Sequence, residues 1–232
     1  MSIIENIDHI RKKISVTEKR FKRRKSSVSL LAVSKTRSVE TIITAINQGQ
    51  LHFGENYCQE AVAKIEAINN PKLVWHFIGP IQSNKTRQIT SHFDWVHTID
   101  RIKIARLLNE QRPENLDLLN VCVQINISYE NSKSGIMLDD VDEFIEELEQ
   151  FKRLKVRGLM SLPAPVNNFS KQRIPFSILK QKLQELKISR PELDTLSIGT
   201  SEDMTAAIAE GATIVRIGTA LFGPRNVKTH TS

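Results

Sequence analysis

The sequence predicts an α/β fold: a (β/α)8 TIM-like barrel preceded by one extra helix. Two observations predict it. Short β-branched runs alternate with amphipathic helical stretches along the chain, the pattern of a parallel sheet with crossover helices. There are eight such runs, the number that closes a barrel. An open doubly wound sheet is the alternative, but no G-x-G-x-x-G follows the first run, so its dinucleotide-binding form loses support. The 232 residues, 40% hydrophobic, suffice for one core of barrel size, and residues 1–232 read as a single domain.

The elements follow in order. Ile3, Ile7, Ile10 and Ile14 recur at helical spacing and predict the N-terminal helix. Strands are predicted at 28–34, 51–53, 73–78, 94–98, 119–125, 154–159, 195–198 and 213–217. Helices are predicted between them at 38–48, 56–69, 82–90, 101–111, 138–150, 173–187 and 202–210. The stretch SLPAPVNNFSKQRIP, residues 161–175, reads as a rim loop.

Composition narrows the function classes. Mean hydropathy is −0.28 and no apolar stretch reaches the length of a membrane span. The opening MSIIENIDHIRKK lacks the basic-then-apolar order of a secretory signal. Cys58 and Cys122 form no CxxC and no disulfide framework, so a reducing cytoplasm is the expected location. The net charge of +7 is local: residues 11–25 hold nine Lys or Arg against one Glu. Outside them, 24 basic face 25 acidic residues. With only Phe21 among the positive charges, the cluster reads as the solvated face of a helix and not as a nucleic-acid site.

The unusual polar residues fall at strand ends, on the face that carries the active site of a barrel. Lys35 follows the apolar run VSLLAV, in phase with Leu31 and Val33. A desolvated lysine is a nucleophilic amine suited to Schiff-base chemistry; the competing reading is a strand-end lysine that snorkels to water. Turns and N-caps account for Gly, Ser and Asn there, but not for Lys35, Gln82, Asn84 and Arg216 on one rim. The loops after strands 7 and 8, SIGTSEDM and RIGTALFG, stand where barrels often bind phosphate. Gly199 and Gly218 allow close backbone approach to an anion, Ser201 and Thr219 add hydroxyls, and a helix starting at Glu202 adds its dipole. The alternative is Ser201 as a plain N-cap. Arg216 shares a strand face with residues 214 and 218 and reaches the barrel centre if that face points inward. It is then either half of a buried ion pair or the partner of a cofactor ring nitrogen. His76 and His97 lack metal-ligand spacing and read as hydrogen-bonded core residues. Glu55 and Asp100 are candidate acid/base groups that could equally cap a helix or pair with a cation.

These residues sit in motifs that resemble the pyridoxal phosphate homeostasis proteins, single-domain relatives of the alanine racemase barrel domain. The matching pieces are AVSKT around Lys35, FGENY at 53–57, WHFIGPIQSNK at 75–85, KSG at 133–135, GLM at 158–160, LSIGTSEDM at 196–204 and VRIGTALFG at 215–223. The resemblance implies an alanine racemase N-terminal domain-like barrel that holds pyridoxal 5'-phosphate as a Schiff base on Lys35. It implies phosphate contacts from Ser201, Gly218 and Thr219, Arg216 facing the pyridine nitrogen, and Asn56 lining the pocket. Thr200 departs from the usual methionine, and His97-Thr98-Ile99-Asp100 from a more common serine near the aspartate.

An arginine at the ring nitrogen disfavours its protonation and weakens the electron sink, which suits reversible amine exchange over demanding eliminations. The racemase relative takes a second acid/base tyrosine from an added β-domain; this chain ends at Ser232, and Tyr57 and Tyr129 read as structural or rim residues. The expectation is a monomeric carrier and buffer of pyridoxal phosphate, with amino acids and apo-enzymes as further partners and no robust turnover. A racemase-like enzyme and a Schiff-base aldolase acting on a phosphorylated substrate are the alternatives.

Overall fold

The computed structural model describes residues 2–130 and 133–224. The elements run α1 (Ile3–Arg20), β1 (Ser29–Val33), α2 (Val39–Asn47), β2 (His52–Glu55), α3 (Cys58–Ile68), β3 (Val74–Phe77), α4 (Thr86–His92), β4 (Trp95–Ile99) and α5 (Ile102–Gln111). They continue with β5 (Leu119–Ile125), α6 (Val141–Leu148), β6 (Leu154–Ser161), α7 (Phe169–Ser189), β7 (Thr195–Ser197), α8 (Met204–Ala209), β8 (Ile214–Ile217) and α9 (Thr219–Phe222). Each strand pairs in parallel with the next, and β8 returns to pair with β1. The closed barrel is the predicted architecture, and the open sheet is excluded.

Register fixes which side chains enter the barrel. Leu31 pairs with Arg216, Val33 with Gly54, Gly54 with His76, and Met160 with Ser197. Side chains alternate along a strand, so these residues form the interior set, while Ala32, Phe53, Phe77 and Leu159 pack outward against the helices. The interior is crowded at Gly54, where a Cβ would lie 3.1 Å from Ile78 Cδ1 and 3.2 Å from Leu31 Cγ. Barrel interiors are commonly layers of branched aliphatics. This one instead buries His76, His97, Ser197 and Arg216.

Helix α1 is held at both ends. Ser2 Oγ accepts from the Glu5 N–H, and Glu5 returns the bond to the Ser2 N–H at 2.7 Å, a capping box. Ile7, Ile10 and Ile14 are buried beneath it. Buried Glu18 accepts from the Ser26 and Val28 N–H groups and the Ser27 hydroxyl, which fixes the turn into β1. The basic cluster is not wholly a solvated face. Arg23 donates to the Ile208 and Ala212 carbonyls and caps the end of α8, and Arg11 donates to the Gln48 and Gly49 carbonyls after α2.

Several boundaries shift by a few residues and the short α9 was not predicted; two differences bear on the mouth of the barrel. Helix α7 begins at Phe169, so residues 169–175 are helix and not rim loop. Asn168 caps it through the Lys171 N–H, and burial of Phe176, Leu179, Leu183 and Leu186 on one face carries the helix through Pro175. Helix α8 starts at Met204 and not at Glu202, because Asp203 folds back onto the Thr200 N–H and hydroxyl.

Candidate functional site

The six residues singled out from sequence line one cavity. Lys35, Asn56, Ser201, Arg216, Gly218 and Thr219 surround about 380 Å³ at the end of the barrel formed by the strands' C-termini. Amine and anion-binding rim therefore share one mouth. Val33, Ile78, Met160 and Leu162 give the cavity an apolar lining.

Lys35 lies just beyond the strand, as the predicted bounds of 28–34 place it. β1 ends at Val33, and Lys35 stands two residues further on, half-buried. Its turn is fixed from below. Thr36 takes a left-handed φ of 63° and donates its N–H to Glu60 at 2.6 Å. The Lys64 ammonium donates to the Ser34 carbonyl and to Glu55, each at 2.8 Å. The Ser34 hydroxyl donates to Glu55 at 2.6 Å. Glu55 is wholly buried, and among the described residues its second oxygen, Oε2, has no hydrogen-bond partner. Burial raises its pKa above the usual carboxylate range, and Lys64 counteracts the rise. Glu55 is thus the paired-cation case and stands beneath the Lys35 turn, outside the cavity lining.

Arg216 enters from β8 and is 6% exposed. It donates to the Ser197 carbonyl, to Ser197 Oγ at 2.8 Å and, through Nη2, to the Ser161 carbonyl at 2.8 Å. Among the described residues no carboxylate forms a salt bridge with it, so the buried-ion-pair alternative is set aside. Burial lowers its pKa to about 10, which leaves it cationic at neutral pH. His97 joins the same cluster, 2.8 Å from Ser197 Oγ, and behind it stands His76. Both are buried and hydrogen-bonded, as their position on strands suggested.

The rim after β7 and β8 is built differently from expectation. Gly199 has φ 95°, and a Cβ there would lie 2.5 Å from Ala207 Cβ. Its glycine is required by packing against α8, and it does not line the main cavity. Gly218 has φ −112° and its nearest neighbour to a Cβ is Val33 at 3.5 Å, an ordinary contact. Protein packing does not demand glycine at 218, and the residue lines the cavity. Ser201 is not an N-cap, since that position in α8 is Asp203.

Sequence reasoning missed Arg37, which lines the cavity and donates to the Gly223 and Pro224 carbonyls. Its only signal was proximity to Lys35. Asp100 and Asn126 line a neighbouring cavity of about 290 Å³ that shares Asn56, Ile78, Met160 and Leu162 with the first. Gln82 and Asn84 line neither. No group of His, Cys, Asp and Glu among the described residues could hold a metal ion.

The geometry defines a class: (β/α)8 barrel proteins that set a lysine amine, a buried arginine and a serine, glycine and threonine rim in one mouth. A family model for the alanine racemase N-terminal domain matches residues 6–226. The chain is 51% identical over 229 residues to the pyridoxal phosphate homeostasis protein of Vibrio alginolyticus, covering 97% of this chain and 98% of that one. It is 50% identical over 230 residues to the protein of that name in Escherichia coli K12, covering 97% of each. The structure of PipY from Synechococcus elongatus with PLP bound matches with a TM-score of 0.82 and 34% identity over 96% of this chain and 100% of that one. This chain belongs to the pyridoxal phosphate homeostasis protein family, within the alanine racemase N-terminal domain fold.

Proposed function

We propose that this chain binds pyridoxal 5'-phosphate in the cavity at the barrel mouth, holds it through a Schiff base to Lys35, and acts as an intracellular carrier and buffer of the cofactor. The observation that carries the reading is the convergence of Lys35, Arg216 and the Ser201, Gly218 and Thr219 rim on one cavity of about 380 Å³. The donor set fits the group. Gly218 and Asn56 both line the cavity, packing does not demand glycine at 218, and among the described residues the buried Asn56 Oδ1 has no hydrogen-bond partner. Similarity to proteins named for pyridoxal phosphate homeostasis, and to a structure with PLP bound, supports the same ligand.

When bound, the cofactor supplies an aldehyde that condenses with amines and a ring that accepts electron density. Lys35 provides the amine and receives the proton when another amine takes its place. Ser201, Thr219 and the Gly218 backbone take the phosphate. Arg216 takes the ring-nitrogen side; a guanidinium only donates, so the nitrogen it meets stays an unprotonated acceptor. That choice favours exchange of amines over carbanion chemistry.

Neither tyrosine lines the cavity, which supports a carrier over a racemase needing a second base from this chain. An open-chain sugar phosphate offers Arg216 no ring nitrogen, which weighs against the aldolase. Apo-enzymes and free amino acids are the proposed recipients of the cofactor, a monomer the proposed unit, and the cytoplasm, where Cys58 and Cys122 stay free thiols, the proposed location.

The test is borohydride reduction of the protein incubated with pyridoxal phosphate, followed by peptide mapping. The expected result is a reduced adduct on Lys35 and loss of the visible band in Lys35→Ala. An adduct on another lysine, or a band that survives the substitution, overturns the reading. Rapid appearance of solvent deuterium at Cα of an amino acid would favour the racemase.

A further inference from the structure

Four hydrogen bonds run through the barrel interior from the cavity toward its opposite end. Arg216 Nη1 lies 2.8 Å from Ser197 Oγ, and Ser197 Oγ lies 2.8 Å from His97 Nδ1. His97 Nε2 lies 2.9 Å from His76 Nδ1, and His76 Nε2 lies 3.0 Å from His52 Nδ1. His97 and Ser197 are wholly buried, and His76 is 2% exposed.

Elementary donor chemistry gives this chain a direction. Arginine has no acceptor, so Ser197 Oγ accepts from Arg216. Among the described residues the other partner of the Ser197 hydroxyl is His97 Nδ1, so the proton goes there and that nitrogen is bare. A neutral imidazole with a bare Nδ1 carries its proton on Nε2, and that proton goes to His76 Nδ1. The same step repeats from His76 to His52. Every imidazole is therefore the neutral Nε2–H tautomer, and each dipole points its acceptor end back toward the guanidinium. Burial holds His97 at about 3 and His76 well below its ordinary value, so neither becomes a competing cation at neutral pH.

We infer that Ser197, His97 and His76 are positioning residues for Arg216: an oriented chain of neutral donors whose acceptor end holds the buried guanidinium in place of a carboxylate and keeps it aimed at the cavity. A carboxylate would hold Arg216 more tightly but draw it away from a ligand. A hydroxyl, two carbonyls and aligned imidazoles contact the guanidinium side, and Asp203 acts on the charge without a hydrogen bond to it, which leaves the guanidinium free to donate. The inference rests on the reading that Arg216 serves the ring side of pyridoxal phosphate.

Two measurements test it. The first is the two-bond 15N–1H spectrum of the histidines in the full chain without added cofactor. The expected result is a pyridine-like Nδ1 and a protonated Nε2 on both His76 and His97 from pH 6 to 8. An Nδ1–H tautomer or an imidazolium on His97 overturns the direction of the chain. The second is pyridoxal phosphate binding, read by the visible band and by affinity. Ser197→Ala and His97→Leu are expected to weaken binding about tenfold and to shift the band. His97→Asn, whose Oδ1 replaces Nδ1 as the acceptor for Ser197, is expected to restore both. Unchanged affinity and spectrum in the first two variants, with the wild type binding normally, overturns the positioning role. No binding by the wild type defeats the cofactor reading instead, and the histidine spectrum still decides the tautomers.

Discussion

The Lys64 ammonium stands 2.8 Å from the Glu55 carboxylate, directly beneath the turn that presents Lys35. Both side chains are almost wholly shielded from solvent. The pair ties α3 to the end of β2 and, through the Ser34 carbonyl, to the end of β1. Removing Lys64 strands the Glu55 charge, whereas Lys64 has a second partner in Glu60. Lys64→Met is expected to destabilise the protein by about 3–5 kcal/mol, and adding Glu55→Gln to recover part of that loss, because the neutral amide still accepts from Ser34. Urea unfolding of the two variants checks this. A double variant no more stable than Lys64→Met would show that the cost is lost packing and not a stranded charge.

The two rim glycines separate fold from binding. Gly199→Ala puts a Cβ 2.5 Å from Ala207 Cβ on a residue with φ 95°, and is expected to cost about 2–3 kcal/mol. Gly218→Ala meets only Val33 at 3.5 Å and is expected to keep the melting temperature within a few degrees. Gly218 lines the cavity, so a side chain there is expected to weaken pyridoxal phosphate binding about tenfold or more. Thermal melts and a binding titration of both variants decide it; equal loss of stability in the two would refute the assignment of Gly218 to the ligand.

The sequence was legible where one short pattern decides structure. Eight β-branched runs gave eight strands, and polar residues after them gave the mouth of the barrel, because both depend on local spacing. The misses are tertiary. Lys64 reads as the surface partner of Glu60, one helical turn away, and only the packing of α3 over Glu55 shows that it is buried. Arg23 reads as one charge in a basic run, and only the position of α8 makes it a cap. His52, His76 and His97 are 21 or more residues apart, and only the register of β2, β3 and β4 lines them up. Lys35 shares the phase of Leu31 and Val33 in the sequence, but the strand ends at Val33 and the turn at Thr36 breaks that phase.

The basic cluster is expected to divide into structural and solvated charges. Arg23 donates to two carbonyls at the end of α8, at 2.9 and 3.1 Å, whereas Arg24 is exposed. Arg23→Ala is expected to cost about 1–3 kcal/mol, since it leaves two carbonyls short of a charged donor. Arg24→Ala is expected to change stability by less than about 0.5 kcal/mol. Parallel urea titrations measure the difference, and an equal effect of the two substitutions would return the cluster to a uniform solvated face.

The buried histidines make stability sensitive to mild acid. In the folded protein His97 titrates at about 3, against an ordinary value of 6.5, and His76 is also held well below 6.5. Below pH 6.5 the unfolded chain therefore binds protons that the folded chain refuses, and stability falls as pH falls. Each histidine contributes a slope that rises from about 0.7 toward about 1.4 kcal/mol per pH unit, so the pair is expected to remove about 2 kcal/mol between pH 6.5 and 5.5. Most carboxylates titrate lower and leave this window to the histidines. His97→Asn deletes one titrating group while keeping an acceptor for Ser197, and is expected to halve the contribution of the pair. Urea midpoints at half-unit steps from pH 7.5 to 5 measure the slope, and identical slopes in wild type and variant would mean that His97 takes up a proton in the folded barrel.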